Sequence, residues 1–318
     1  MISTDPFKFS KSNCTKLVFI VIAAFCISPW LSPPLALAIG IVFAQIGKNP
    51  FEKYNHKAIQ WLLKLAVIGL GFGMSVTSAL SAGKEGVYLS IASISLTLLL
   101  GLSLGKFFKI DKKIVQLISS GTAICGGSAI AAISPIIRAK PKQISVAVGV
   151  VFLLNSVALF IFPEIGHFLG LSQHQFGLWS AIAIHDTSSV VGAAQVYGNE
   201  ALEIATTVKL ARALWILPVS LLFAVFSGGS LKKVKIPYFI GIFILAIIVN
   251  TYLPAIHSVA PYIVSVSKSS LTLVLFLIGT TLSFSSMKKV GYKPLVLAIG
   301  VWVFISVLSL LIIVKTTH

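Results

Sequence analysis

Charge is the scarcest ingredient of this chain. Asp, Glu, Lys and Arg make up only 10% of its 318 residues, while 57% are hydrophobic. A soluble domain carries roughly 25% charged residues, so too few charges exist to build a water-facing surface. Long polar stretches are also missing. No loop between apolar runs exceeds about a dozen residues, which leaves no room for a soluble domain. The apolar runs lack the alternation of a membrane β-barrel, and open sheets cannot satisfy their backbone in lipid. Cysteine is rare: Cys14, Cys26 and Cys125 show no metal-ligand spacing, and an odd count gives no disulfide framework. Neither a metal nor a cofactor is expected.

What is present is hydrophobic length. The mean hydropathy is +0.99, and apolar runs recur from Leu17 to Val314. A bilayer core of about 30 Å takes about 20 apolar residues to cross as a helix. The expected fold class is therefore an all-α polytopic membrane protein, a single transporter-like domain over 1–318. The predicted segments are 17–30, 31–47, 58–80, 86–105, 114–137, 143–163, 174–197, 202–226, 236–254, 262–284 and 292–314. Pro29, Pro33 and Pro34 mark the turn between the first two. The amino-terminal run, preceded by Lys8, Lys11 and Lys16, has no clean small-x-small cleavage site and reads as an uncleaved first span.

The formal charge of +17 would suggest nucleic acid in a soluble protein. Here the basic residues follow the loops. Clusters stand at Lys8–Lys16, Lys48–Lys57, Lys106–Lys113, Arg138–Lys142, Lys232–Lys235 and Lys288–Lys293, together 19 of the 25 Lys and Arg. Basic loops face the cytoplasm in membrane proteins, so the expected place is the plasma (inner) membrane, multi-pass, with the bilayer and not nucleic acid as partner. Simple alternation fails at 114–137, which is basic at both ends. A re-entrant hairpin there, and a second at 174–197 entering from the other side, would keep all 19 charges on one face. Broken helices that span fully are the alternative. Irregular backbone at that depth is tolerated only where it is buried in protein or lines a cavity.

Weak internal similarity points the same way. Leu65-Ala-Val-Ile-Gly69 and its following span resemble Leu275-Phe-Leu-Ile-Gly279 and its own. The interrupted segment around Gly127-Ser128 resembles the one around Thr187-Ser188. Related units in opposed orientation are a secondary-transporter signature.

Candidate chemistry sits at the interruptions. In Ser119-Ser-Gly-Thr-Ala-Ile-Cys-Gly-Gly-Ser128, Gly126 and Gly127 permit a tight break, and a half-helix starting near Ser128 would aim free N–H groups at an anion. The same small residues would also suit helix packing. In Ala183-Ile-His-Asp-Thr-Ser-Ser189, Asp186 is the one acid deep in a segment and His185 titrates near neutrality. Both are candidates for coupling to H+ or Na+. Thr187, Ser188 and Ser189 would complete the second tip. Thr206, Lys209 and Arg212 form one polar stripe on a helix. There Arg212 and Lys209 suit an oxyanion, and one of them could instead neutralise Asp186. Lys64 and Lys268, about two turns inside their segments, fit snorkelling to the interface. Glu203, Asn155 and Asn250 have no assigned role.

These residues carry a family resemblance. Gly121-Thr-Ala-Ile-Cys-Gly-Gly-Ser-Ala-Ile-Ala-Ala132, His185-Asp186 with Val190-Val-Gly-Ala-Ala194, Ala205-Thr-Thr-Val-Lys-Leu-Ala-Arg212 with Pro218, and Lys288-Lys-Val-Gly-Tyr-Lys-Pro294 resemble the ordered motifs of the YeiH-type sulfate exporter family of bacterial multi-pass membrane proteins. Members often have Arg where Lys64 and Gly73 stand. The resemblance implies export of sulfate or a related oxyanion or sulfonate. Two rivals are a sodium-coupled organic-acid carrier and an intramembrane enzyme using Cys125, His185 and Asp186. A homo-oligomer is left open.

Overall fold

The computed structural model describes residues 11–28, 31–46, 49–227, 238–281 and 291–317. Lys8, Pro29, Lys48, the cluster at Lys232–Lys235 and the Lys288–Lys289 half of the late turn lie outside the described residues, as do the side chains of Lys11 and Cys14.

Fourteen α-helices are described: α1 Lys11–Ile27, α2 Pro33–Ile46, α3 Glu52–Leu70, α4 Val76–Phe107, α5 Lys112–Ala123, α6 Gly127–Ile133, α7 Pro141–Phe168, α8 Gln173–Ala183, α9 Thr187–Tyr197, α10 Asn199–Ala213, α11 Ile216–Ser227, α12 Tyr238–Tyr252, α13 Ala260–Gly279 and α14 Tyr292–Thr316. Five helical stretches are long and apolar enough to cross a membrane: α4, α7, α10 continued by α11, α13 and α14. α1, α2 and α12 are shorter apolar helices. Among the described residues there is no strand.

Two segment boundaries differ from the sequence expectation. The break expected between 80 and 86 lies earlier. α3 stops at Leu70, a 3-10 turn spans Gly71–Gly73, and α4 begins at Val76. Ser75 sets that start by accepting from the Ser78 N–H. The carboxy-terminal end of α12 satisfies the exposed backbone: Asn250 donates to the Met74 carbonyl and the Thr251 hydroxyl accepts from the Val76 N–H. The expected span 202–226 is interrupted at Leu214–Trp215, between α10 and α11. Pro218 is the cause, since it has no N–H for the Leu214 carbonyl and its ring crowds that carbonyl.

The helices pack through one large buried apolar cluster, with a smaller one around Phe19, Cys26 and Phe276. The α2–α13 crossing is backbone against backbone. A Cβ on Gly40 would lie 2.3 Å from the Phe276 carbonyl oxygen, and one on Gly279 would lie 2.4 Å from that of Leu37. Only glycine permits that approach.

α7 organises the rest. Its 28 residues span roughly 42 Å at 1.5 Å per residue. It connects the two interrupted segments, so it fixes the distance between them.

Candidate functional site

The first interrupted segment returns to the face it entered from. At its base Lys113 Nζ donates to the Arg138 carbonyl at 2.7 Å. Gln143 ties both ends together: its Nε2 donates to Asp111 Oδ1 at 2.9 Å and its Oε1 accepts from the Lys140 N–H at 2.7 Å. Asp111 also caps α5, accepting from the N–H groups of Lys113 and Ile114. α5, the tip at 124–126 and α6 therefore form a re-entrant hairpin whose base stands at the start of α7.

The second segment closes in the same manner at the other end of α7. The Tyr197 hydroxyl donates to the Leu171 carbonyl at 2.6 Å, and Gln173 Oε1 accepts from the Glu200 N–H at 3.0 Å. Tyr197 is stacked between His167 and Phe176, at ring distances of 4.3 and 3.8 Å. Basic residues crowd the first base, whereas 164–175 and 197–203 contain neither Lys nor Arg.

The two tips meet at the middle of α7. A Cβ on Gly126 would lie 3.5 Å from both the N and Cα of Asp186, and 3.4 Å from Val151 on α7. One turn further along α7, Asn155 Oδ1 accepts from the N–H groups of His185 and Asp186 at 3.0 and 3.3 Å. Two hairpins based at opposite ends of one helix, with tips touching at its centre, enter from opposite faces. The choice between hairpins and full-span broken helices is thereby decided for hairpins.

Each tip leaves backbone groups that lipid cannot satisfy. α10 supplies most of the partners. Arg212 donates to the Ala123 carbonyl through Nε and Nη2, at 2.9 and 2.5 Å, and to Ser93 Oγ through Nη1 at 2.9 Å. Lys209 Nζ donates to the carbonyls of Ala181 and Ile184, at 3.1 and 2.7 Å. Trp302 of α14 donates to the Ala183 carbonyl at 2.9 Å. Each cation thus sits at the carboxy-terminal end of a half-helix, where the helix dipole is negative. At the opposite polarity, Asp186 caps the start of α9, accepting from the N–H groups of Ser188 and Ser189 and from the Ser188 hydroxyl. Among the described residues no ion pair joins Asp186 to Lys209 or Arg212. α9 itself answers the carboxylate.

The structure gathers Gly126, Asp186, Lys209, Arg212 and the start of α9 into one centre. Lys209, Arg212 and His185 are each 0% exposed. Both ring nitrogens of His185 lack a partner, as do Asn155 Nδ2 and the hydroxyls of Thr122 and Thr206. Ser188 and Ser189 are buried and Thr187 half-buried. Gly127 faces the Phe152 ring, while Ser128 is exposed and lies apart from that hydrogen-bonded centre. Cys125 is a free, buried thiol beside Gly126. Lys64 lies over the rings of Trp61 and Tyr238, and Lys268 bonds Asn199 Oδ1 at 2.6 Å. Sequence reading left Asn155 and Trp302 without a role. Asn155 had a signal, a lone amide in the middle of the apolar run from Ile144 to Phe162. Trp302 had none.

The fold and this centre define a class: a multi-pass α-helical membrane protein with two opposed re-entrant hairpins. The particular family follows from comparison. The model of the family described as "Conserved hypothetical protein 698" matches residues 16–298. Proteins named "UPF0324 membrane protein" are similar over nearly the whole length. The one from Bacteroides thetaiotaomicron is 50% identical over 89% of this chain and 86% of its own. That from Shewanella oneidensis is 49% identical over 93% of each, and that from Vibrio parahaemolyticus 51% over 90% of this chain and 94% of its own. The chain belongs to this family of membrane proteins, the one whose motifs the sequence carries. No solved structure matches it.

Proposed function

We propose that this protein is a secondary transporter of a small anion, sulfate or a related oxyanion or sulfonate, moved outward across the plasma membrane in exchange with, or coupled to, an ion. The observation that carries the reading is the meeting of two oppositely inserted hairpin tips at the midpoint of α7. Such a centre is where alternating-access carriers hold substrate, since it lies equally far from both faces. Charge favours an anion. Two buried cations, Lys209 and Arg212, share the centre with one carboxylate, Asp186, so it carries a formal +1. Gly126 and the Thr187–Ser189 stretch form the two tips at the centre, with Gly127 and Ser128 outside it, and His185 beside Asp186 is the residue assigned to coupling. Its ring nitrogens are unpartnered, so one N–H is free to donate and the other nitrogen is free to accept. The same fact disfavours an intramembrane enzyme, because no Cys125–His185 hydrogen bond activates the thiol.

The test is flux in proteoliposomes. Purified protein is loaded with labelled sulfate, a sulfonate, a carboxylate or chloride, with and without proton and sodium gradients. Anion flux that follows the pH gradient is the expected result. Flux that follows sodium supports the organic-acid carrier instead. No protein-dependent flux of any anion under any gradient refutes transport.

A further inference from the structure

A polar chamber lies off the centre just described. It is a cavity of about 220 Å³ between the 3-10 turn at Gly71–Gly73, the first two turns of α10, and α13. By the liquid-water share of about 30 Å³ per molecule, it holds roughly seven waters or one small organic solute. Its polar groups are Lys268, Asn199, Glu203 and Thr206. Leu70, Leu202 and Val264 supply apolar wall.

Two opposite charges line this chamber, and each has one neutral partner, Ser78 for Glu203 and Asn199 for Lys268. Lys268 and Glu203 line the same space, yet among the described residues they form no ion pair. Lys268 bonds the neutral Asn199 amide instead, leaving ammonium N–H groups unspent. Both charged side chains are only partly buried, while Thr206 is 1% exposed and its hydroxyl has no partner. Thr206 lies seven residues beyond Asn199, roughly 10 Å along α10. It stands one helical turn before Lys209, so the chamber leads from the second hairpin's base toward the midplane.

We infer that this chamber binds a small zwitterion, an amino acid or aminosulfonate. Its acidic group sits on Lys268, its ammonium on Glu203, and its short carbon spine lies along the apolar wall. A bare dianion such as sulfate fits less well, because Glu203 repels it and nothing uses the apolar wall. The inference rests on the transport reading and shifts its substrate class from a bare oxyanion to an amine-bearing acid, with the chamber on the release side, at the Asn199 end away from the basic loops.

The experiment is equilibrium binding to the full chain in detergent. The probes are β-alanine and 2-aminoethanesulfonate, with propionate and ethanesulfonate as partners lacking the amine, and sulfate. A charge-assisted contact contributes enough for at least about a tenfold preference for each zwitterion over its amine-free partner. Lys268→Gln is expected to weaken zwitterion binding at least tenfold. Glu203→Gln is expected to erase the preference while leaving propionate binding in place. Gly73→Leu, whose Cβ would lie 3.1 Å from Val264, fills space along the chamber wall and should weaken binding of both zwitterion and propionate. Amine-free anions or sulfate binding wild type as tightly as the zwitterions overturns the inference. So does zwitterion binding that ignores both charge substitutions in variants that elute and melt like wild type. Anion flux without zwitterion binding sinks the chamber and leaves transport standing. Zwitterion binding without flux of any solute does the reverse.

Discussion

Gly126→Ala and Gly127→Ala add one methyl each to neighbouring residues and should move stability in opposite directions. Gly126 has φ 64° and ψ −125°, a region closed to residues with a Cβ. The added Cβ would itself have room, since its nearest neighbours lie at 3.4–3.5 Å, ordinary contact distances. The cost is therefore backbone strain alone, about 1–3 kcal/mol. Gly127 begins α6, and its added Cβ would meet only the Phe152 ring at 3.6 Å. Alanine there gains up to about 1 kcal/mol from helix propensity. At about 2 °C per kcal/mol for a chain of this size class, Gly126→Ala should melt roughly 2–6 °C lower and Gly127→Ala no lower than wild type. Thermal unfolding in detergent, followed with a thiol-reactive dye on buried Cys26 and Cys125, reads both. Gly127→Ala melting below Gly126→Ala would refute the placement of the tip.

Asn155→Ala removes the acceptor for two buried N–H groups, at about 1–3 kcal/mol for each unsatisfied donor, whereas Asn155→Asp keeps it. The melting point should fall sharply in the first variant and largely recover in the second. Ser93→Ala takes one partner from Arg212 and should cost about 1 kcal/mol, while Arg212→Met also frees the Ala123 carbonyl and should cost several times more by the same assay. Asp186→Asn keeps a capping oxygen of nearly equal quality, so the melting point should hold while gradient-driven flux is lost. Loss of both together would make Asp186 structural. Single cysteines at Lys113 and Lys140 should label from one face of intact cells, and those at Gln173 and Glu200 from the other. Labelling of Lys140 and Gln173 from the same face would refute the opposed hairpins.

Much of this architecture was legible because lipid enforces simple bookkeeping. The basic residues flanking 114–137 on both sides favoured a hairpin while leaving a full-span broken helix open, and Lys113 and Arg138 do meet at its base. The second hairpin followed by parity. The positions 81–86 misled, because Ser-Ala-Gly-Lys-Glu-Gly looks like a turn while α4 runs through it. The true break at Gly71–Ser75 was hidden in an apolar run, and its backbone is satisfied by α12, more than 170 residues away in sequence. Within the site, residue types were readable and partners were not. Lys209 and Arg212 were recognisable as buried cations, but their bonds run to carbonyls, which every residue carries and no pattern marks. Lys268 looked like a snorkelling lysine, and only the fold brings Asn199 and Glu203 beside it.

One consequence follows from the placement of Lys209 and Arg212 on a single helix, three residues apart. Each grips the tip of a different hairpin through main-chain oxygens, so α10 acts as a yoke across the bilayer centre. The tips cannot drift separately without breaking one of these grips. Lys209 and Arg212 thus tie both tips to one helix, so any displacement of α10 is felt at the two of them together.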